Sequence, residues 1–155
     1  MPQTCGFCDI ACGLLDASVV LEEDHALAFL DHRPLFPGHC LLIPKVHVET
    51  LSELPDGAIG PFFESAQLLA KAVEEGLQAD GSFVAINNRV SQSVPHLHVH
   101  VVPRRNKDGL KGFFWPRRKY ANASEMEAAR LAIEQAVERV RTAHRLRTTR
   151  PPGEK

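Results

Sequence analysis

The sequence predicts an α+β fold built on a mainly antiparallel sheet, and three observations predict it. Short apolar runs bounded by turn residues come first, then a long helical stretch, then two more short runs and a second helical stretch. That order segregates helices onto one face of a sheet. Second, Phe62, Ala66, Leu69, Ala70, Val73 and Leu77 recur at helical spacing and make one apolar face. Third, VPHLHVHVVPRR, residues 94–105, alternates His96, His98 and His100 with Leu97, Val99 and Val101. This is the two-residue period of a strand with unlike faces.

Each element has its own signal. Val19–Glu22 and His25–Asp31 read as two strands across the polar turn Glu23-Asp24. Residues 33–38, RPLFPG, form a proline-rich loop, and His39–Pro44 is a compact strand ended by proline. Residues 51–60 read as a turn-rich connection, and the first helix is expected over Pro61–Gln78. Residues 82–87 and 97–103 are strands, with a polar loop between them at 88–95. Ser124-Glu125-Met126-Glu127 has the form of a capping box opening a second helix to about Arg145. Its apolar face carries Met126, Ala129, Ile133, Ala136, Val137 and Val140. A single domain over residues 1–147 is expected, with the tail 148–155 frayed.

Composition narrows the function. The chain is 155 residues long, 44% hydrophobic and 24% charged, with a net charge of -1. No global field draws it to nucleic acid or a membrane surface. No apolar run is long enough to span a bilayer, and residues 1–13 lack the pattern of a signal peptide. A cytoplasmic location is expected. A reducing compartment argues against a disulfide framework for Cys5, Cys8, Cys12 and Cys40. Cys5 and Cys8 form a C-x-x-C with no strand before it, which favours half of a zinc site over a redox pair. Cys12 and Cys40 lie among apolar residues and read as packing thiols.

Three imidazoles on one short face admit two chemical readings. The row binds a catalytic metal, or one histidine is a nucleophile that its neighbours orient. The preceding loop offers Asn87, Asn88, Arg89, Gln92 and Ser93, and no Asp or Glu occurs from Gly81 to Lys107. A donor-rich, carboxylate-free loop suits an anion such as phosphate better than a hard cation.

His96-Leu-His98-Val-His100-Val-Val resembles the signature of the histidine triad (HIT) superfamily of nucleotide hydrolases and transferases, in its zinc-containing bacterial-type branch. Cys5-Gly-Phe-Cys8-Asp-Ile10, Ala28-Phe-Leu-Asp31, Pro37-Gly-His39, Ile43-Pro-Lys-Val-His47 and Asn87 through Ser93 follow the family's order. The resemblance covers Cys5 to about Arg105. It implies that His98 is the nucleophile at the α-phosphate, with His100 and His39 hydrogen-bonding around it. It implies that Asn87, Gln92 and Ser93 contact phosphate or the leaving group, and that Asp31 takes the ribose hydroxyls. Phe7, Ile10, Phe29 and Leu30 match the base pocket, and Cys5, Cys8, His47 and His96 match the ligands of a structural zinc. The loop before His96 is about two residues shorter than in many relatives and lacks glycine.

The activity expected from this resemblance is hydrolysis of a dinucleoside polyphosphate, such as diadenosine tetraphosphate, to a nucleoside monophosphate. The basic and aromatic stretch 111–120 favours it as a flap over the second nucleotide, and a solvated loop with an aromatic anchor in the core is the other reading of that stretch. Phosphoramidate hydrolysis, nucleotidyl transfer or phosphorolysis, and a nucleotide-binding scaffold with slow turnover are the alternatives. The resemblance implies a homodimer, expected to be two-fold through the first helix and a neighbouring strand, because Phe62 and Phe63 point about 100° apart on that helix and need not both fit one core stripe.

Overall fold

The protein is described by a computed structural model over residues 5–110 and 119–148. It divides into two compact units, residues 1–109 and 110–155. The stretch 111–118, which carries Trp115, Arg117 and Arg118 of the expected flap, lies outside the described residues.

The first unit is a five-stranded antiparallel sheet. Helix α1 (Gly6–Ala11) precedes β1 (Val19–Glu22), β2 (Ala26–Leu30) and β3 (Cys40–Pro44). A 3-10 turn at Leu51–Glu53 leads into α2 (Asp56–Leu77), followed by β4 (Gly81–Ile86) and β5 (Val99–Arg104). The strand order is β1-β2-β3-β5-β4, so the histidine strand sits between two neighbours. Pairing of Leu41 with His100 and of Phe29 with Leu41 places these three side by side across the sheet.

The central strands bury both faces. One face, Ala26, Ala28, Cys40, Leu42, Leu97, Val99 and Val101, packs on Phe62, Ala66, Leu69 and Val73 of α2. The opposite face, Leu27, Phe29, Leu41 and Ile43, packs on Phe7, Ile10, Ala11 and Ala17. His98 rings with Phe7 on that second face, while Leu97 and Val99 enter the first.

Several expectations need correction. α1 was not anticipated: six residues carry no helical periodicity to read. α2 starts at Asp56, five residues before the expected start at Pro61. Pro61 therefore stands inside the helix, where it lacks the amide that would bond the carbonyl four residues back. β5 begins at Val99 because the backbone before it pairs elsewhere: the Leu97 amide donates to Val48 O at 2.7 Å. Cys12 is exposed, whereas Cys40 is buried as expected.

In the second unit, α3 spans Ala123–Thr148. Its cap lies two residues earlier than the expected box, since Asn122 Oδ1 accepts the Glu125 amide at 2.8 Å. Met126, Ile133, Val137 and Val140 are exposed, and Ala129 and Ala136 are half-buried. No helix among the described residues is long and apolar enough to cross a membrane.

Candidate functional site

The alternating histidines carry different tautomers, and this divides their work. His96 Nε2–H donates to Pro44 O at 2.9 Å, leaving the lone pair on Nδ1. His98 does the reverse: Nδ1–H donates to His96 O at 2.7 Å, leaving the lone pair on Nε2. Both rings are buried.

His96 Nδ1 meets three other donors. It lies 3.4 Å from Cys5 Sγ, 3.6 Å from Cys8 Sγ and 3.3 Å from His47 Nδ1, and Cys8 Sγ is 3.3 Å from His47 Nδ1. The four atoms lie within 4.8 Å of one another. Tetrahedral zinc with nitrogen at about 2.0–2.1 Å and sulfur at about 2.3 Å spaces nitrogen pairs about 3.4 Å apart and nitrogen–sulfur pairs about 3.5 Å apart. The cluster has those edges before any ion is considered. Burial, and then Cys5 beside it, push the Cys8 thiol up to about 11. A dication would reverse that, since it binds thiolate.

Cys5 is the N-cap of α1 and Cys8 lies within its first turn, and between them Phe7 sits edge-on to three rings. Phe29 is 5.4 Å away, His98 is 5.4 Å away at an interplanar angle of 89°, and His96 is 5.9 Å away. The Cys/His cluster thus anchors the helix whose Phe7 lies against His98.

His39 and His100 form a second hydrogen-bonded chain. The Leu35 amide donates to His39 Nδ1 at 3.2 Å. The His39 proton is therefore on Nε2, which donates to His100 Nδ1 at 3.0 Å. That leaves His100 with its own proton on Nε2. Asp31 Oδ2 is 3.6 Å from His39 Nδ1, too long to compete with the amide. Asp31 lies beside one nitrogen of His39, and His100 is hydrogen-bonded to the other. Burial, with His98 and His39 adding to it, holds His100 down at about 4. Burial also lowers His39, against Asp31.

A cleft of about 650 Å³ gathers these groups. Phe7, Ile10, Phe29, Leu30, Asp31, Ser93, His98 and His100 all line it. His39 stands behind His100. Asn87 and Gln92 are not among the lining residues; the Asn87 side chain donates to Ser91 O at 3.2 Å. Leu15, Asp16, Ala17, Ser18, His32, Leu41 and Val94 line the cleft unannounced. Two of the basic residues after the triad, Arg104 and Arg105, are engaged within the fold. Arg104 holds Asp108 at 2.6 Å, and Arg105 donates to Leu77 O and Gln78 O at the end of α2.

Comparison with known proteins agrees with this geometry. The HIT domain profile matches residues 13–107. Protein hit of Bacillus subtilis is 35% identical over 115 residues, covering 73% of this chain and 79% of that protein. Adenosine 5'-monophosphoramidase HNT1 of Saccharomyces cerevisiae is 32% identical over 118 residues, covering 75% of this chain and 72% of the other. The crystal structure of a zinc-bound histidine triad family protein from Mycobacterium smegmatis superposes with a TM-score of 0.66 at 37% identity, covering 87% of this chain and 96% of that one. By the profile match, the sequence identity and the shared fold, the chain belongs to the HIT domain family.

Proposed function

We propose that the protein is a nucleotide hydrolase that cleaves at the α-phosphate through a covalent nucleotidyl-His98. The observation that carries this is the His98 tautomer: Nδ1–H is held by His96 O, and Nε2 is left with a lone pair on a ring that lines the cleft. Nε2 attacks phosphorus, the bond to the leaving group breaks, and His100 Nε2–H supplies the proton the leaving group needs. Water then attacks phosphorus, the phosphorus–Nε2 bond breaks, His100 Nε2 takes back a proton from the water, and a nucleoside monophosphate is released with His98 restored. Ser93 and His100 donate to the phosphate oxygens as charge develops. Asp31 accepts from the ribose hydroxyls, and Phe7, Ile10, Phe29 and Leu30 hold the base. Asn87 supports the phosphate loop from behind. Cys5, Cys8, His47 and His96 hold a structural zinc; four protein ligands close the site, so the metal fixes architecture.

Two classes of leaving group are separable. A dinucleoside polyphosphate rests on the basic and aromatic stretch 111–120. A phosphoramidate is the second reading, and the cleft favours it. Among the described residues the lining carries Asp16 and Asp31 but no Lys or Arg to balance further phosphates. The name of the yeast relative points the same way. A panel of dinucleoside polyphosphates, nucleoside phosphoramidates and adenylyl sulfate, with products resolved by chromatography, ranks the classes. Mass spectrometry of the quenched enzyme should find the nucleotidyl group on His98. A scaffold would bind AMP and turn over none of them. We also propose a homodimer formed through α2.

A further inference from the structure

Gln92 closes the loop between β4 and the histidine row, and its amide is engaged by backbone at both ends. Oε1 accepts the Arg89 amide at 2.7 Å, and Nε2 donates to Glu49 O at 2.6 Å. Nε2 also lies 3.4 Å from His96 O, the oxygen that accepts His98 Nδ1–H. The same loop is stitched to residues 51–53. Asn88 Oδ1 accepts the Leu51 amide at 2.9 Å, and Arg89 reaches Glu53 at 3.4 Å. Arg89 and Ser91 have φ of 65° and 59°, left-handed conformations that non-glycine residues adopt reluctantly. The bond from Gln92 Oε1 to the Arg89 amide closes around the first of them. This loop is the short, glycine-free one, and Gln92 supplies bracing where backbone freedom is lacking.

We propose that Gln92 is a positioning residue. It holds the loop and the His96 carbonyl so that His98 keeps its proton on Nδ1 and its lone pair on Nε2, and it does this without touching the leaving group. The proposal rests on the reading of His98 as nucleophile. It differs from a role at the leaving group because both ends of the amide are already engaged away from the cleft lining.

The test uses the full chain, Gln92→Met and Gln92→Glu, with two readouts. Met keeps the length but loses both polar ends. Glu keeps the acceptor for Arg89 and sets an anion against Glu49 O, so it should disturb the loop more. The first readout is the long-range proton–nitrogen correlation spectrum of the His98 ring, which reports the tautomer without substrate. Wild type should show one Nδ1–H form, and the variants a mixture. The second is kinetics on substrates whose leaving groups differ in basicity. A misplaced nucleophile should lower kcat by about 10²-fold, equally for every leaving group, with KM moving by less than about twofold. An unchanged ring spectrum in both variants overturns the proposal. A loss that grows with leaving-group basicity while the ring spectrum stays unchanged assigns Gln92 to the leaving group instead, and also overturns it. If wild type forms no nucleotidyl-His98, the functional reading fails, and the ring spectrum still decides whether Gln92 sets the tautomer.

Discussion

The carbonyl oxygen of His96 lies 2.7 Å from Nδ1 of His98, so the residue whose ring serves the Cys/His cluster also fixes the ring two positions later. Backbone and side chain of one residue thus tie architecture to chemistry. The link is short enough to leave little rotational freedom to His98, which a nucleophile aimed at phosphorus requires.

His98→Asn should abolish turnover, by at least about 10³-fold, because asparagine offers no nucleophilic nitrogen. AMP affinity measured by calorimetry should change little. With a substrate chiral at phosphorus, wild type should retain configuration, since two displacements each invert it. Inversion would indicate direct attack by water.

His39→Ala should act through His100. Without His39 Nε2–H as donor at 3.0 Å, His100 is free to place its proton on Nδ1 and leave Nε2 bare. A misplaced general acid costs about 10²-fold in kcat, and the loss should be largest for the most basic leaving group. A uniform loss across leaving groups would assign His39 to packing alone.

Stability should fall in acid through His100. Its folded value, about 4, lies below the unfolded 6.5, and burial is the main cause. Between these values the unfolded chain binds more protons, so stability rises with pH. The contribution is complete above about 6.5 and is lost as pH falls towards 4. The full difference is worth roughly 3 kcal/mol. Urea midpoints from pH 8 to pH 4 should drop across that window, and less steeply in His100→Asn.

Homodimer formation through α2 predicts a mass of two chains by light scattering at micromolar concentration. Phe62 is buried and Phe63 is 40% exposed, as their divergent directions on the helix require. Phe63→Glu should shift the mass to one chain while the circular dichroism spectrum is kept.

Much of this was legible in the sequence because it was periodic. The alternation of His96 to Val101 gave the two faces, and the 3.6-residue repeat from Phe62 gave α2 its buried side. C-x-x-C gave two donors, and the other two followed from the family's order of motifs. What was illegible was set by tertiary pairing. α1 is too short for periodicity and is held by partners distant in the chain, through Phe7 and Ile10 on the sheet and Cys5 and Cys8 beside His47 and His96. The engagement of Gln92 depends on Glu49, 43 residues earlier in the chain. No local signal predicts such a partner.

Zinc removal gives the last prediction. One zinc per chain should be found by elemental analysis after purification without chelator. α1 has six residues, too few to be helical alone, and its side-chain anchors at each end of the C-x-x-C are Cys5 and Cys8. Chelation should therefore release α1 first. Phe7 would leave its edge-on contacts with Phe29 and His98, removing one wall of the base pocket. The global cost should be read as a lower Tm, because an ion that binds the folded chain and not the unfolded one stabilises the fold by mass action. On activity the order of effects is the diagnostic. KM should rise with loss of the base wall before kcat falls, because His98 is still fixed by its bond to the His96 carbonyl. Cys8→Ser should reproduce both effects, and Cys12→Ser, a change at an exposed cysteine outside the cluster, neither. A fall in kcat at constant KM on chelation would mean that the metal takes part in the chemistry and is not confined to holding α1.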